Sequence, residues 1–492
     1  MTALWQQHTY SGMTADSRQV KPANLFVAYP GEYRDGRDYI LQAIEQGATG
    51  VIYEAEAFDW QQLGESASAI PHQAIAQLRH QVSQIAAEFY EYPSRQLWVI
   101  GVTGTNGKTS CSHWLAQCFA ELKRPTAVIG TLGHGVLGQQ DRALNATANT
   151  TPDAICLQAW MADYVARGAE VLSMEVSSHG LHQGRVNGVE FDVAIFTNLT
   201  RDHLDYHGTM EAYGKAKSQL FDCPSLRCSI INIDDEFGRQ IAQDLREKGK
   251  PVLTYGIANV ASNTHGEVAD VRVIETVMSA QGMYLKLITP QGETELRAQV
   301  VGEFNIYNLL AVFSSLLISG VDLPTASAVM SRLQAVPGRM QQFGGAEKPL
   351  LVVDYAHTPD ALQKALQTLR VSCHGKLICV FGCGGNRDVG KRPEMGRVAN
   401  EFADTVVVTS DNPRDEDALD IIGQISTHIS ADKLHISPDR AEAIQLAVQQ
   451  AKSGDVVLVA GKGHEAYQEI AGVRYPFSDA ETVQQILSRW SA

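Results

Sequence analysis

The sequence predicts an α/β protein of three domains, the central one built on a mostly parallel sheet around a phosphate-binding loop and the last one Rossmann-like. Three observations predict it. Short apolar runs alternate with helix-like segments through most of the chain. One such run, Leu97–Ile100, leads through the Gly-rich GVTGTNGKTS (101–110) into the helix-like CSHWLAQCFAEL (111–122). Four later runs each end in Gly, Asp or Asn, where open α/β sheets place ligands.

The elements follow in order. Residues 1–90 hold a polar start with DSRQV, the strand-like NLFVAYPG, a helix-like DYILQAIEQGA and the short strand GVIYE. Pro93 and Ser94 punctuate the approach to the Gly-rich loop and mark a boundary near residue 91. In residues 91–338, VLSMEV (171–176), VAIFTN (193–198) and SIINID (229–234) read as strands, each followed by a loop and a plausible helix. Residues 264–303 differ: EVADVRVIETV and MYLKLITP predict antiparallel strands. Pro337-Gly338-Arg339 marks the second boundary. In residues 339–492 the rhythm resumes with LLVVDYAH, LICVFGCGG, TVVVTSDNPR and VVLVAGKG.

Composition bounds the function. A chain of 492 residues exceeds one core, and about two to four domains are expected. With 44% hydrophobic and 19% charged residues it reads as globular. A formal charge of −15 argues against a general nucleic-acid binder but leaves room for a nucleotide ligand. No basic segment followed by an apolar core opens the chain, and no apolar run approaches a membrane span of about 20 residues. The eight cysteines include no C-x-x-C pair, and Cys379 and Cys383 lack a second pair at zinc-site spacing. Reduced structural thiols in a cytoplasmic protein are expected.

The loop carries the sharpest chemistry. Inward N–H groups and a helix N-terminus cradle phosphate. Lys108 can reach the β and γ phosphates, and the Thr109 hydroxyl can ligate Mg²⁺. Gly104 and Gly107 permit the unusual backbone angles and close approach. Val102 stands where the commonest spacing would have Gly. A Gly-rich turn that binds nothing is the bland alternative, and Lys-Thr placed between strand and helix counts against it. ATP is the expected ligand.

Other residues gain meaning only in company. Glu175 ends VLSMEV and His203 lies in TNLTRDHLDYHG, so both sit beyond strand ends, where oxygen-preferring Mg²⁺ could be held. Taken singly, each reads as a solvated carboxylate or a backbone-bonded imidazole. Lys217, in the helical AYGKAKSQLF, is by itself no better than Lys215. GCGGNRD (382–388) and SDNPRDE (410–416) place Arg387 and Arg414 after two apolar strands, where each could grip a carboxylate with two parallel hydrogen bonds. Either arginine alone reads as loop solubility; together they suggest an anionic small molecule.

TGTNGKTS, MEVSSHGL, FTNLTRDHLDYHG, GEFNIYN, PGRM, DYAHTPD, FGCGGNRD, SDNPR and GKGHE occur in this order, and the set resembles the Mur-ligase family of cell-wall amino-acid-adding enzymes over about residues 15–467. The family's loop, G-T-[NG]-G-K-[ST], accounts for Val102. The resemblance implies a uridine-nucleotide-binding first domain and a ligase that adds meso-2,6-diaminopimelate to UDP-N-acetylmuramoyl-L-alanyl-D-glutamate. ATP drives the reaction through an acyl phosphate. It implies a place in peptidoglycan synthesis, and so in cell shape and division. A monomer with small-molecule substrates, and no nucleic-acid or membrane partner, is expected.

By resemblance, Gly104, Thr105, Asn106, Gly107, Lys108, Thr109 and Ser110 hold the ATP phosphates, with Asn308, Arg339, Asp354 and His357 around the nucleotide. Lys108, Glu175, His203 and Lys217 form the catalytic set. Thr109, Glu175, His203 and Lys217 hold Mg²⁺, the lysine as a CO₂-derived carbamate. Ser17, Glu32, Tyr33 and Arg34 contact the uridine end, and Asn149, Thr150, Thr151, Ser177, Gln183 and Arg185 the muramoyl-dipeptide. Arg387, Asp411, Asn412, Pro413, Arg414, Gly461 and Glu465 bind the diamino acid.

Rival readings are the lysine-adding relative, a folylpolyglutamate synthase, a phosphate-loop NTPase that drives conformational change, and a nucleotide-binding module without catalysis. The arginine-bearing loops count against the first two. The full set of metal-site and loop residues counts against the last.

Overall fold

The structure, a computed structural model, describes residues 3–31, 34–137, 144–147, 149–257, 268–279, 282–345 and 347–490. The chain divides into two compact units. One comprises Met1–Thr103, Leu122–Ala194 and Ala216–Arg227; the other comprises Gly104–Glu121, Ile195–Lys215 and Cys228–Ala492.

The first unit opens on a parallel sheet of Gly12–Thr14, Asn24–Ala28, Ala48–Glu54 and His72–Ile75, in spatial as in chain order. Alternate residues feed two cores: Leu25, Val27 and Ile52 enter one, Phe26, Ala28 and Val51 the other. That is the period-two pattern of strands covered on both faces. The unit also holds Gly133–Leu137, Thr126–Gly130, Val171–Glu175 and Trp98–Thr103 as successive strands, antiparallel in the first pair and parallel after it. Val102 is fully buried inside Trp98–Thr103. It belongs to the strand, and the turn proper starts at Gly104.

In the second unit the helix Lys108–Glu121 follows the turn at once. Cys228–Asn232, Val252–Ile257 and Val271–Ser279 run parallel, and Gly282–Thr289 and Gly292–Ala298 then reverse. The antiparallel reading of 264–303 holds within the described residues. Residues 258–267 and 280–281 lie outside them. The helix Glu236–Glu247 shows why such segments close over a sheet: Gly238, Ile241, Ala242 and Leu245 are buried at i, i+3, i+4 and i+7, and Asp235 caps its start by accepting from the Gly238 N–H.

The C-terminal part of this unit is a six-stranded sheet in the order Gln341–Gly344, Leu350–Asp354, Val456–Ala460, Leu377–Phe381, Thr405–Val408, Leu434–Ile436. Only the first pair is antiparallel. Leu377, Cys379 and Phe381 pack into one core layer, Ile378 and Val380 into the other. Burial on both faces makes these strands read as unbroken apolar runs. The α/β class with mostly parallel sheets is therefore as the sequence predicts. The hairpin Thr126–Leu137, the edge strands Gln341–Gly344 and Leu434–Ile436, and the hairpin of Tyr467–Ile470 with Val473–Pro476 were not anticipated. They are short, at edges, or rich in glycine, and carry little apolar periodicity.

All eight cysteines are free thiols. Among the described residues, no helix is long and apolar enough to cross a membrane.

Candidate active site

The phosphate loop is shaped by two glycines. Gly104 has φ +144° and Gly107 φ +90°, both in the left-handed region. A Cβ at Gly104 would sit 1.9 Å from Thr197 Oγ1, and one at Gly107 2.2 Å from Asn308 Oδ1. The turn is clamped by the segment after VAIF. The Thr105 N–H donates to Asn198 O at 2.8 Å, the Asn106 N–H to Asn198 Oδ1 at 2.9 Å, and Thr197 Oγ1 to Asn106 O at 2.6 Å. The Asn106 amide also reaches Asp360 at 3.2 Å. Lys108 Nζ donates to the carbonyls of Gly104 and Thr105, both at 2.9 Å, so its ammonium stands at the loop itself. Ser110, one residue past Thr109, is buried in the first turn of the helix.

Three of the residues expected around the nucleotide meet this loop or one another. Asn308, buried in the helix Phe304–Ile318, packs against Gly107 and donates from Nδ2 to Asn305 Oδ1 at 2.9 Å. Arg339 Nη2 donates to Thr109 Oγ1 at 2.9 Å, and its guanidinium lies 4.3 Å from the centre of the Tyr355 ring. Asp354 accepts from the Met340 and Ala356 N–H groups at 2.7 and 2.8 Å. Burial raises its carboxyl pKa despite the Arg339 charge and these hydrogen bonds.

His203 and His357 converge on a residue the sequence reading passed over. Asp202 Oδ2 is 3.4 Å from His203 Nε2 and 3.6 Å from His357 Nε2, and its Oδ1 accepts from the His203 N–H at 2.9 Å. Burial pushes the Asp202 carboxyl up. The neighbouring His357 and His203 imidazoles and the Lys391 charge outweigh it and hold the group well below the usual carboxylate range. The backbone of His203 is left-handed, with φ +54°.

The two arginine-bearing loops lie backbone against backbone. A Cβ at Gly385 would meet Pro413 O at 1.9 Å, and one at Gly382 would meet Thr409 O at 2.3 Å. Arg414 has φ +53°, unusual for a long side chain. Its strand-like bonds, from its N–H to Glu469 O at 3.1 Å and from the Ala471 N–H to its carbonyl at 2.7 Å, hold it so. Its Nη1 donates to Gly385 O at 2.6 Å. Arg387 is exposed and makes no ion pair among the described residues. Asp411 is buried against Gly461, whose Cβ would be 2.6 Å from its Oδ2. Asn412 Nδ2 donates to Glu465 Oε2 at 2.8 Å.

Beneath these loops is a buried ion pair that the sequence reading missed. Arg440 donates to both oxygens of Asp479 at 2.7 and 2.8 Å and to Ala460 O at 2.9 Å, with all of these groups out of solvent. Arg392 likewise grips Glu416 at 2.8 and 2.9 Å. Both arginines lie in polar-looking helical segments, and burial is not readable from such spacing.

In the first unit Glu175 is fully buried at its strand end. Its oxygens accept from the Thr131 N–H at 2.7 Å and the Thr131 hydroxyl at 3.1 Å. Around it gather most of the residues expected to bind the dipeptide. Thr151 Oγ1 donates to Glu175 O at 2.9 Å and accepts from the Ser177 N–H at 2.9 Å. Arg185 reaches Thr151 O at 2.6 Å and Gln183 Oε1 at 2.8 Å. Thr150 meets Thr131, hydroxyl to hydroxyl, at 3.1 Å, and Asn149 is exposed. Ser17 is buried and donates to Gln42 at 2.9 Å; Arg34 reaches the Tyr39 hydroxyl at 3.3 Å. Glu32 and Tyr33 lie outside the described residues. Lys217 is 1% exposed whereas Lys215 is exposed, and burial thus separates two lysines that composition could not.

The glycine cradle and its helix start fit a nucleotide phosphate chain. The hydroxyl oxygen of Thr109, at the start of that helix, is of the donor type Mg²⁺ prefers. Among the described residues no three His, Cys, Asp or Glu side chains cluster in metal-binding geometry, so such an ion would need the Thr hydroxyl, the substrate phosphates or water as well.

Comparison with known proteins agrees with this arrangement. Residues 9–95 match the Mur ligase family, catalytic domain, residues 102–316 the Mur ligase middle domain, and residues 338–463 the Mur ligase, glutamate ligase domain. The chain is 50% identical over 479 residues to the UDP-N-acetylmuramoyl-L-alanyl-D-glutamate–2,6-diaminopimelate ligase of Chromobacterium violaceum, covering 97% of this chain and 94% of that one. It is 47% identical over 480 residues to the enzyme of that name from Pseudomonas aeruginosa, covering 97% and 95%. A solved structure described by the same name aligns with TM-score 0.68 at 37% identity, over 99% of this chain and 97% of that one. The chain belongs to the Mur ligase family, as its motifs implied.

Proposed function

We propose that this protein is the ATP-dependent ligase that joins meso-2,6-diaminopimelate to UDP-N-acetylmuramoyl-L-alanyl-D-glutamate, a cytoplasmic step of peptidoglycan precursor synthesis. The observation that carries the reading is the near-full-length identity of 44–50% to relatives bearing that one name.

The D-glutamyl γ-carboxylate attacks the γ-phosphate of ATP, giving an acyl phosphate and ADP. An amine of diaminopimelate then attacks the acyl carbon, the amide forms and phosphate leaves. Lys108 and the turn Gly104–Ser110 hold the phosphates and offset the charge that develops on them. Asn308 and Arg339 fix the loop and the Thr109 hydroxyl, with Asp354 and His357 beside the nucleotide. Thr109, Glu175, His203 and a carbamylated Lys217 would hold Mg²⁺, which supplies charge neutralisation on the phosphate oxygens. Ser17, Glu32, Tyr33 and Arg34 take the uridine end. Asn149, Thr150, Thr151, Ser177, Gln183 and Arg185 take the muramoyl-dipeptide. Arg387, the turn Asp411–Arg414, Gly461 and Glu465 receive the diamino acid. The work is mostly positioning. A guanidinium matched to the second carboxylate of diaminopimelate is left unpaired by lysine, which is the basis for rejecting lysine.

The burial of Lys217 supports the carbamate. Carbon-13 NMR of enzyme equilibrated with labelled bicarbonate should show a protein-bound carbamate signal that Lys217→Ala lacks; the same spectrum from both would end the idea. The function itself is tested by phosphate release from ATP with the UDP-linked dipeptide, comparing meso-diaminopimelate with L-lysine. Release with diaminopimelate alone, and a matching mass gain on the nucleotide, is expected. Release with lysine instead would keep the family and overturn the substrate. Release without the muramoyl substrate would favour an NTPase.

A further inference from the structure

Lys462 is the one residue of the GKGHE turn with a long cationic side chain, and it is fully buried. Its Nζ donates to Asn412 Oδ1 at 3.0 Å and to Glu465 Oε2 at 2.9 Å. Asn412 Oδ1 accepts also from the Glu469 N–H at 2.9 Å. These two donors fix the orientation of the Asn412 amide: its oxygen faces Lys462 and Glu469, and its nitrogen is left to meet Glu465 Oε2. That carboxylate oxygen takes two hydrogen bonds from within the protein. The other, Oε1, takes no hydrogen bond among the described residues, and the side chain keeps 18% of its surface exposed.

We propose that Lys462 is a positioning residue for the amino-acid substrate. By holding Asn412 and Glu465 in one arrangement it presents Glu465 Oε1 to an ammonium group of the incoming amino acid. The inference rests on the proposed function for the place of that substrate. Geometry favours positioning over direct contact: the lysine is out of solvent and its bonds are spent on two groups that themselves reach the site. An ammonium would repel a substrate amine if it touched it, whereas paired with Glu465 it leaves a carboxylate fixed in place. Charge-assisted hydrogen bonds of this kind lose most when one partner is removed from a buried set.

The test is a double-mutant cycle with Lys462→Met, Glu465→Gln and the double variant, on the full-length enzyme. KM is measured for the amino acid, for ATP and for the UDP-linked dipeptide, with kcat and melting temperature. Lys462→Met should raise KM for the amino acid about tenfold or more, with the other two KM values within about threefold of wild type. In the Glu465→Gln background the same substitution should change that KM by no more than about threefold, because the group it positions has gone. Equal effects in both backgrounds, or an equal rise in all three KM values, would make Lys462 merely structural and overturn the proposal. If Lys462→Met does not fold, Lys462→Gln, which keeps a donor to Asn412, enters the same cycle. The wild type controls for the function: should it add L-lysine rather than diaminopimelate, the substrate reading falls, and the cycle run with lysine still tests Lys462, because both carry an amino-acid head.

Discussion

Arg339 donates a hydrogen bond of 2.9 Å from Nη2 to the hydroxyl of Thr109, the second residue of the helix that leaves the phosphate loop. This bond joins the PGRM motif to TGTNGKTS across 230 residues of sequence. Arg339→Lys keeps the charge but not the fork or the flat face over Tyr355. It should raise KM for ATP about tenfold and leave KM for diaminopimelate near wild type, which initial-rate kinetics with each substrate varied in turn would show.

Gly107 is closed to any side chain. Gly107→Ala would bring Cβ to 2.2 Å from Asn308 Oδ1 at φ +90°. The loop must shift, and a displacement of about 1 Å costs about a hundredfold in kcat/KM for ATP. Gly249→Ala is the contrast: φ is also positive, at +66°, but no atom lies within 4 Å. It should cost about 1 kcal/mol of stability and no activity. Equal loss of activity in both variants would sink the steric account.

His113 makes the second unit sensitive to acid. Burial, with the Arg339 charge second, lowers its pKa from 6.5 to about 4, and Nε2 has no hydrogen-bond partner. The unfolded ring takes its proton near pH 6.5 and the folded ring near 4. Between those values the unfolded state binds more protons, so stability falls as pH drops, by about 2 kcal/mol at pH 5. His113→Leu should shrink the difference between urea unfolding at pH 7 and pH 5 by that amount. An unchanged difference would show that other groups carry it.

Removing one partner of the Arg440–Asp479 pair should cost more than removing both. Asp479→Ala leaves a fully buried guanidinium uncompensated, at about 3–5 kcal/mol. Arg440→Met with Asp479→Leu should recover much of that loss in urea melts, since apolar replacements of buried pairs are often neutral.

The strand–turn–helix that carries TGTNGKTS was legible because its signals are local. Gly104, Lys108 and Thr109 sit within one strand–turn–helix, and a phosphate site needs little else. Apolar runs gave the parallel strands for the same reason: both faces are covered, so the strands cannot be polar. Asp202, Lys462 and Arg440 were not legible. Each is a charged residue in a segment that sequence alone reads as exposed, and only tertiary packing brings in the partner that makes its burial tolerable: His357 for Asp202, Asn412 for Lys462, Asp479 for Arg440. Lys217 lay between these cases, since family resemblance singled it out and burial alone gives a physical reason.

The strand Val456–Ala460 lies between Leu350–Asp354 and Leu377–Phe381. On the ribosome the chain emits Leu350–Asp354 about a hundred residues, and Leu377–Phe381 about seventy-five residues, before the strand that joins them. Through that interval the strands of Leu351 and Val353 and of Ile378 and Val380, paired on one side with Gln341–Gly344 and Thr405–Val408, each keep the other backbone edge without its native neighbour. A nascent chain halted before residue 456 would therefore be a substrate for chaperones, and a clone truncated there would go to inclusion bodies however intact its phosphate loop.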